Sequence, residues 1–424
     1  MRILMPHYLI NDYGGITNST EGLIRGLTAL GHTVHPVLLE WKPFGSYRTE
    51  TKPDYGDSES ETGMSMEQRG GYFFGASRRF GYKGATSMWK QLVAEYDLVF
   101  WQVPVPTQTA DNRGNHEWLE LYDINVPQIA HIHDGNIESI PWISAVAPLW
   151  KGIGCVHSCA LKSTQKFLPL PMSLCPSPQW NIEERMAGGF DCRQRDGWLS
   201  LQTFKAWKRV ADIVRAVPFM ERGPKLLAGG GIERYYMTSP DKVKPAYVWK
   251  PTDKDYDKSF RNKTIWQVAV EHKMKYLDFI GNEERDSILC RRVALIDASW
   301  SEKYALHGAH VNRVVIDALI CGAVPIMRDW GDKDSPLQPH IHFVPLPTTE
   351  DGPAKQAKVI DDTCRDLWPS WMVRAREVLP LFEAKRVAKI FLELAEGRGT
   401  HQGVRNKQYF RKGQEALRGY FGMM

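Results

Sequence analysis

The chain has 424 residues, 24% charged and 11% aromatic, with a formal net charge of +5; that is too long for one comfortable core, so two domains of about 200 residues each are expected. No apolar run approaches the ~18 residues of a membrane span. The opening Met1-Arg-Ile-Leu-Met-Pro is too short for a secretory h-region and no small-residue cleavage site follows it. Seven scattered cysteines, at 155, 159, 175, 192, 290, 321 and 364, fit reduced thiols in a reducing compartment, and a soluble, cytoplasmic protein is expected. Cys155, His157 and Cys159 suggest a metal, but no second Cys or His pair stands at ligand spacing; a buried strand end with reduced thiols is the stronger reading.

A buried strand at Ile3-Leu4-Met5 comes first, then a loop containing Asp12-Tyr13-Gly14-Gly15, then a helix from about Thr17 to Leu30. Leu23, Ile24, Leu27 and Leu30 share one helical face and Gly31 is the stop. A strand over Thr33–Leu39 completes a right-handed βαβ unit and hence a parallel sheet. Gly14 and Gly15 allow a ligand close to the backbone, or serve only the turn's demand on φ.

From Thr51 to Thr86 the pattern breaks into a polar, glycine-rich segment without periodicity, of a length that is usually functional or disordered in a compact domain. Its first half is acidic (Asp54, Asp57, Glu59, Glu61), whereas its second interleaves Tyr72, Phe73, Phe74, Phe80 and Tyr82 with Arg78, Arg79 and Lys83. Rings beside cations suit a nucleic-acid or sugar acceptor; a solvated loop with a few buried rings has the same sequence. Strands are then expected at Tyr96–Trp101 and Gln128–His133. The second ends in His131-Ile-His133-Asp134-Gly135, polar groups at the carboxyl end of a central strand, where open α/β sheets bind ligands. His133 and Asp134 read equally as site residues or as a core histidine beside a capping aspartate.

The second domain begins near Asp196. It has a strand at Trp198–Gln202, an amphipathic helix from Trp207 to Val217 with Val210, Ile213, Val214 and Val217 inward, and a strand at Lys225–Gly229 before Gly230-Gly231. Strands at Tyr276–Gly281 and Val293–Asp297 complete the sheet, and Thr238–Lys275 is a lysine-rich insertion whose Asp255-Tyr-Asp257 lies away from these motifs. The most informative stretch follows: Asp297-Ala-Ser-Trp-Ser-Glu302, then Gly308-Ala-His-Val-Asn-Arg313, then Val315 to Ile326. It reads as strand, loop, short helix, Gly322 stop and a strand from Val324. A polar loop feeding a helix N-terminus suits a diphosphate, because unpaired N–H groups and the helix dipole favour negative charge there. After Pro347 the chain is mostly helical from about Pro353 to Glu396. Arg398 to Met424 carries six Lys or Arg against one Glu, a local +5 equal to that of the whole chain. A basic tail on a neutral body points to a local polyanion contact, and solvated helix faces look the same in sequence.

The Ala298 to Ile326 stretch resembles the donor-binding signature of retaining GT-B glycosyltransferases of the Glu-x7-Glu type, glycosyltransferase family 4-like. Ile316-Asp-Ala-Leu-Ile-Cys-Gly322 and Val324-Pro-Ile326 match the family's Leu-Glu-Ala-Met-Ala-Cys-Gly helix and Val-Pro-Val-Ile strand, which puts Asp317 where the second Glu binds the ribose hydroxyls. Ala298-Ser-Trp-Ser-Glu302 is similar to the family's Pro-Ser-x-x-Glu, yet Glu302 precedes Asp317 by fifteen positions and Ala309 stands eight before it. Either the loop carries an insertion and Glu302 keeps the sugar contact, or His307, His310 or Asn312 takes it. The segment around Lys208 resembles Gly-Arg-Leu-x3-Lys-Gly, whose Arg and Lys clamp the donor diphosphate. Lys208 matches the Lys and Gln202 or Lys205 stands nearest the Arg, so the resemblance gives leaving-group charge to Lys208, Lys205, Arg313 and the helix N-terminus. Gly14-Gly15 matches the family's N-terminal loop, Gly230 a nucleobase-side loop, and His133 with Asp134 a segment bordering the transferred sugar.

The resemblance implies an α/β protein with two Rossmann-like, doubly wound GT-B domains and the active site in the cleft between them. These are 1–195 for the acceptor and 196–375 for the nucleotide sugar, with helices of 376–424 crossing back toward the first. It implies transfer of a hexosyl or pentosyl group from a nucleotide sugar, such as a UDP-sugar, to an acceptor hydroxyl with retention. No cofactor beyond that co-substrate and no metal are implied, since fixed cations and helix N–H groups can stabilise a departing diphosphate. His133, Asp134, Lys208 and Glu302 are the expected catalytic residues; Gly14, Gly15, Lys205, Lys208, Gly230, His310, Asn312, Arg313 and Asp317 bind the donor; Arg78, Arg79, Tyr82 and Lys83 bind the acceptor. One acceptor class is a glycan, lipid-linked saccharide or small molecule, whose enzymes often sit on lipid through a basic N-domain helix. Here the Thr17 to Leu30 helix carries only Arg25 as a cation, which makes peripheral membrane contact the weaker option. The other class is a hydroxymethylated pyrimidine in DNA, as in phage base glycosyltransferases, whose cytoplasm is the host's. A catalytically weak sugar-nucleotide-binding protein is the non-enzyme alternative.

Overall fold

The computed structural model describes residues 1–7, 15–41, 72–76, 89–102, 121–133, 137–139, 143–187, 195–202, 208–221, 225–228, 271–277, 280, 282–300, 305, 308–366 and 370–421. Two compact units share the chain: Met1–Trp180, Leu306–His310 and Leu381–Met424 form one, Asn181–Ala305 and Val311–Pro380 the other.

The first unit is built on strands β1 (Arg2–His7), β2 (Thr33–Trp41), β3 (Tyr72–Ala76), β4 (Leu98–Trp101), β5 (Gln128–Ile132), β6 (Trp150–Cys155) and β7 (Pro171–Leu174), with helices α1 (Gly15–Ala29) and α2 (Ser158–Gln165) among its connections. They lie in the order β7-β6-β5-β4-β1-β2-β3, every neighbouring pair parallel. The chain therefore winds outward from β1 to β3, then crosses to the other side of β1, and the order reverses between β1 and β4. Strands covered on both faces read as unbroken apolar runs: Ile3, Leu4 and Met5, then Leu98 through Trp101, are all buried. Tyr72–Ala76 departs from the loop expected for Thr51 to Thr86. It is β3, aligned on β2 from Val37↔Tyr72 to Trp41↔Ala76, as the strand preference of consecutive aromatics allows.

The second unit holds α3 (Ile182–Ala187), β8 (Trp198–Leu201), α4 (Val210–Ala216), β9 (Lys225–Ala228), β10 (Lys275–Leu277), α5 (Asn282–Leu289), β11 (Ala294–Asp297), α6 (Arg313–Cys321), β12 (Val324–Met327), β13 (Val344–Pro345) and α7 (Pro353–Asp366). Its sheet runs β10-β9-β8-β11-β12-β13, again parallel throughout, with the reversal between β8 and β11. Val210, Ile213, Val214 and Val217 pack with Trp198, Ile296, Ile326 and Ile360 in one core, the face the periodicity selects. The units exchange at 180/181, ahead of the expected 195/196, because α3 carries Arg185 into ion pairs with Asp286 and Asp317. α6 ends at Gly322 with φ +79°, a left-handed turn that favours glycine.

From Leu381 the chain belongs again to the first unit, through α8 (Ala384–Ala395), β14 (His401–Gln402) and α9 (Lys407–Phe421). The α8 residues Val387, Ala388, Phe391 and Leu394 share a core with Leu23 and Leu27 of α1 and with Ile3 and Phe100, each fully buried side chain contributing roughly 1.5–3 kcal/mol. Gly26 permits that approach, since a Cβ there would stand 2.3 Å from the Ala384 carbonyl oxygen. β14 pairs antiparallel with β7. Among the described residues no helix is long and apolar enough to cross a membrane.

Candidate functional site

In the second unit the carboxyl ends of β8 and β11 stand side by side where the strand order reverses, the crevice in which open α/β sheets receive ligands. One polar network fills it. Gln202 follows β8, Asp297 ends β11, Ser299 lies two residues on, and Asn312 is the N-cap of α6. The Ser299 hydroxyl donates to Gln202 Oε1 at 3.1 Å, and its backbone N–H donates to Asp297 Oδ1 at 3.0 Å. Asn312 Nδ2 donates to Ser299 Oγ at 2.9 Å and to Asp297 Oδ2 at 2.5 Å, while Lys208 Nζ donates to Asn312 Oδ1. One amide thus links a buried ammonium to a buried carboxylate. With its side chain so engaged, Asn312 makes no capping hydrogen bond to α6, and the positive end of that helix has no side-chain cap. Ammonium and helix end together favour an anion.

Further into α6, both Asp317 oxygens are taken by guanidiniums. Oδ1 accepts from Arg185 Nη2 at 2.8 Å, and Oδ2 lies 3.3 Å from Arg285 Nη1 and 3.6 Å from Arg313 Nε. Arg185 also holds Asp286 through two bonds of 2.6 and 3.0 Å, and Arg285 Nε reaches Asp286 at 2.9 Å. Burial opposes charge on Asp317, yet Arg285, Arg313 and Arg185 outweigh it and hold the carboxyl at about 2. Burial pulls Arg313 down to about 10 with Asp317 acting against it. Three guanidiniums against two carboxylates leave one positive charge in excess beside Asn312. A ribose diol on Asp317 has to share the carboxylate with these arginines.

The first unit carries a second polar group at the ends of β4 and β5. Gln102 Nε2 lies 3.2 Å from His133 Nε2, Gln102 Oε1 3.3 Å from His131 Nδ1, and His131 Nε2 3.1 Å from the Cys175 carbonyl. Burial, then the neighbouring His133, keep His131 well below the usual histidine range, so it is neutral with a single N–H. The Cys175 carbonyl can only accept, so that proton sits on Nε2 and Nδ1 is an acceptor. Gln102 must then present its amide N–H to His131, the amide turned half a revolution, an orientation heavy atoms alone do not distinguish. Its carbonyl faces His133, whose Nε2 becomes a donor and whose Nδ1 carries a lone pair. Burial holds His133 at about 3, which makes it a neutral hydrogen-bond acceptor at pH 7. Nitrogen-15 spectra should show both rings as Nε2–H tautomers, and a ring titrating near pH 6.5 would contradict the relay. Because the unfolded chain takes a proton that folded His133 refuses, this contribution to stability is present above about pH 6.5 and is lost as pH falls toward about 3. Gln102→Leu, which strands His131 Nδ1, is expected to cost about 1–3 kcal/mol in denaturant unfolding.

No protein-family model matches this chain, and no curated protein matches its sequence. Solved structures do match. An alpha-glucosyltransferase in complex with UDP and a 13-mer DNA containing a HMU base superposes with a TM-score of 0.63 at 13% identity, covering 93% of this chain and 99% of that one. A glycosyltransferase from Rickettsia africae ESF-5 gives 0.62 at 12% identity over 93% and 97%. Anabaena Alr3699/HepE in complex with UDP and glucose gives 0.57 at 12% identity over 99% and 100%. The fold is GT-B.

Of the residues expected at the GT-B site, Lys208 and Asn312 meet in one network and Arg313 and Asp317 in the adjoining cluster. His133 lies in the first unit, at the end of β5, and Gly15 is the first residue of α1. His310 lies in the first unit too, its ring centroid 3.8 Å from that of His157. There Ala309 N–H donates to Ser158 Oγ at 3.1 Å, and Cys159 N–H at the start of α2 donates to the Ala309 carbonyl at 3.2 Å. Gly14, Arg78, Arg79, Tyr82, Lys83, Asp134, Lys205, Gly230, Glu302 and His307 lie outside the described residues. Asp297 had a legible signal, a carboxylate closing an apolar strand. Arg185, Arg285 and Asp286 had none, for they sit on short polar helices distant in sequence from Asp317.

Proposed function

We propose that the protein transfers a sugar from a nucleotide-sugar donor, such as a UDP-sugar, to an acceptor hydroxyl, retaining anomeric configuration and using no metal. The network of Lys208, Asn312, Asp297, Ser299 and Gln202 carries this reading. It sets a cation and an uncapped helix N-terminus at the switch point of the second sheet, where a diphosphate gains the most from both. As the glycosidic bond breaks, negative charge grows on the departing diphosphate. Lys208, the α6 N–H groups and the arginine cluster around Arg313 stabilise it without having to reorganise. Asp317 serves the donor through Arg313, which it keeps in place. In the first unit the His133 Nδ1 lone pair accepts from a sugar hydroxyl. Glu302 or a residue of the 307–312 loop supplies the other sugar contact, Gly14 and Gly15 give close backbone approach, and Gly230 borders the base.

The acceptor in this proposal is a hydroxymethylated pyrimidine in DNA. The likeness to a structure that holds UDP and DNA supports it, as does α9, which buries Tyr409 and Phe410 and exposes Lys407, Arg411 and Lys412. Arg78, Arg79, Tyr82 and Lys83 would complete the contact, the cations on phosphates and the ring on an unstacked base. Incubating the purified chain with a panel of nucleotide sugars, with and without hydroxymethylated duplex, tests both halves. Nucleoside diphosphate release stimulated by that duplex is expected. DNA affinity should fall with salt, each neutralised phosphate adding about 0.9 to the log–log slope, and Arg78→Ala with Arg79→Ala should lower transfer to DNA while sparing slow donor hydrolysis. Release without stimulation by DNA transfers the acceptor to a glycan, a lipid-linked saccharide or a small molecule. Donor binding with no release from any sugar leaves a sugar-nucleotide-binding protein.

A further inference from the structure

We propose that Arg209 is a positioning residue whose left-handed backbone aims Lys208 at Asn312, which rests on the reading that Lys208 stabilises the departing diphosphate. Arg209 is the N-cap of α4, with φ +55° and ψ +31°. A side chain with a Cβ meets steric strain there that glycine escapes. Among the described non-glycine residues with such a φ, it is the one joined directly to a member of the polar network at the ends of β8 and β11. Its side chain makes no cap to α4 and is engaged elsewhere. Nε donates to Asp212 Oδ2 at 3.0 Å, and Nη2 to Asp212 Oδ1 at 3.2 Å and to Thr349 Oγ1 at 2.8 Å. The Thr349 hydroxyl donates in turn to Asp212 Oδ2 at 2.8 Å, and Arg328 Nη2 donates to the same oxygen at 3.1 Å. Asp212 N–H donates to the Arg209 carbonyl at 3.0 Å.

These bonds account for the persistence of the strained turn. Asp212 and Arg328 are buried, and the clamp draws on α4, the residue after β12 and the segment after β13. Three parts of the second unit therefore grip one side chain, and a strained backbone survives where its surroundings over-determine it. The strain has a geometric consequence. Rotation about the Arg209 N–Cα bond moves Lys208 relative to α4, and roughly 120° separates left-handed from right-handed φ. Relaxation would swing Lys208 away from Asn312 while α4 stayed seated in its core through Val210, Ile213 and Val214. Arg209 thus acts through Lys208, since its own guanidinium is held by Asp212 and Thr349.

The test compares Arg209→Ala with Arg209→Gly in the full-length chain. Both variants lose the same guanidinium bonds, and only glycine accepts the left-handed turn without strain. One readout needs no ligand: the nitrogen-15 resonance of the Asn312 side-chain amide, assigned by its loss in Asn312→Ala. The other is single-turnover release of UDP from UDP-glucose beside calorimetric donor affinity. Arg209→Gly is expected to keep the native amide shift and most of the turnover. Arg209→Ala should move the amide and lower turnover about tenfold with a far smaller change in affinity, the scale of one strained residue released. Equal losses in the two variants, or an unmoved amide in Arg209→Ala, overturn the proposal. If Lys208→Ala leaves turnover unchanged, the lysine's role in charge stabilisation is lost and the amide shift alone decides whether Arg209 aims it. Should Arg209→Ala fold poorly, Thr349→Val removes one arm of the clamp with Arg209 in place; a moved amide supports the proposal and a native one refutes it.

Discussion

Lys208→Ala is expected to reduce turnover by roughly 10²–10³ while changing donor affinity far less, because its attraction for the diphosphate grows as the bond breaks and a preorganised donor is worth that much in the transition state. Lys208 Nζ is already fixed by Asn312, which is fixed in turn by Asp297 and Ser299, so little ordering is left for the moment of reaction. Asn312→Ala should reproduce part of the loss, since it removes the acceptor that orients the Lys208 ammonium and the side-chain donor to Asp297 Oδ2. Single-turnover rates and calorimetric donor affinity separate the two effects, and activity should persist in EDTA. If Lys208→Ala weakened donor binding and turnover equally, the lysine would be a ground-state contact, and a strict need for a divalent ion would remove it from charge stabilisation.

Asp317→Ala should lower the unfolding free energy by about 3–5 kcal/mol, the usual consequence of removing one partner from a buried ion pair. Arg185, Arg285 and Arg313 would then share Asp286 alone. The sign with pH follows from the depressed carboxyl. Its contribution is complete above the unfolded value near 4 and is lost as pH falls toward about 2, so the native chain should lose stability over that interval and Asp317→Ala should show less of that loss. Donor affinity should fall with stability, because Arg313 loses its anchor. Denaturant unfolding at pH 7 and at pH 3 measures both. A variant as stable as the native chain would mean that the arginines find other counter-ions and that Asp317 is available to a ligand.

Local pattern by itself determined a large share of this protein. Period 3.6 in Leu23, Ile24 and Leu27 and unbroken apolar runs such as Ile3-Leu4-Met5 and Leu295-Ile296 carry helix and parallel strand without reference to anything distant, because burial on one face or two faces writes itself into neighbouring residues. The helix from Arg313 with its glycine stop and the Val324 strand were readable for the same reason, and with them Lys208, Asn312 and Asp317 as residues of interest. Which partners those residues meet was decided only by tertiary structure. Asp317 looks like a free acceptor until Arg185 and Arg285, more than thirty positions away on other helices, close on both oxygens. Asn312 resembles an ordinary cap until Lys208 and Asp297 claim its amide. The tautomers of His131 and His133 depend on Gln102 and on a carbonyl at Cys175. Charge and hydrogen bonding are satisfied by whichever group folding brings near, and sequence separation carries no record of that distance.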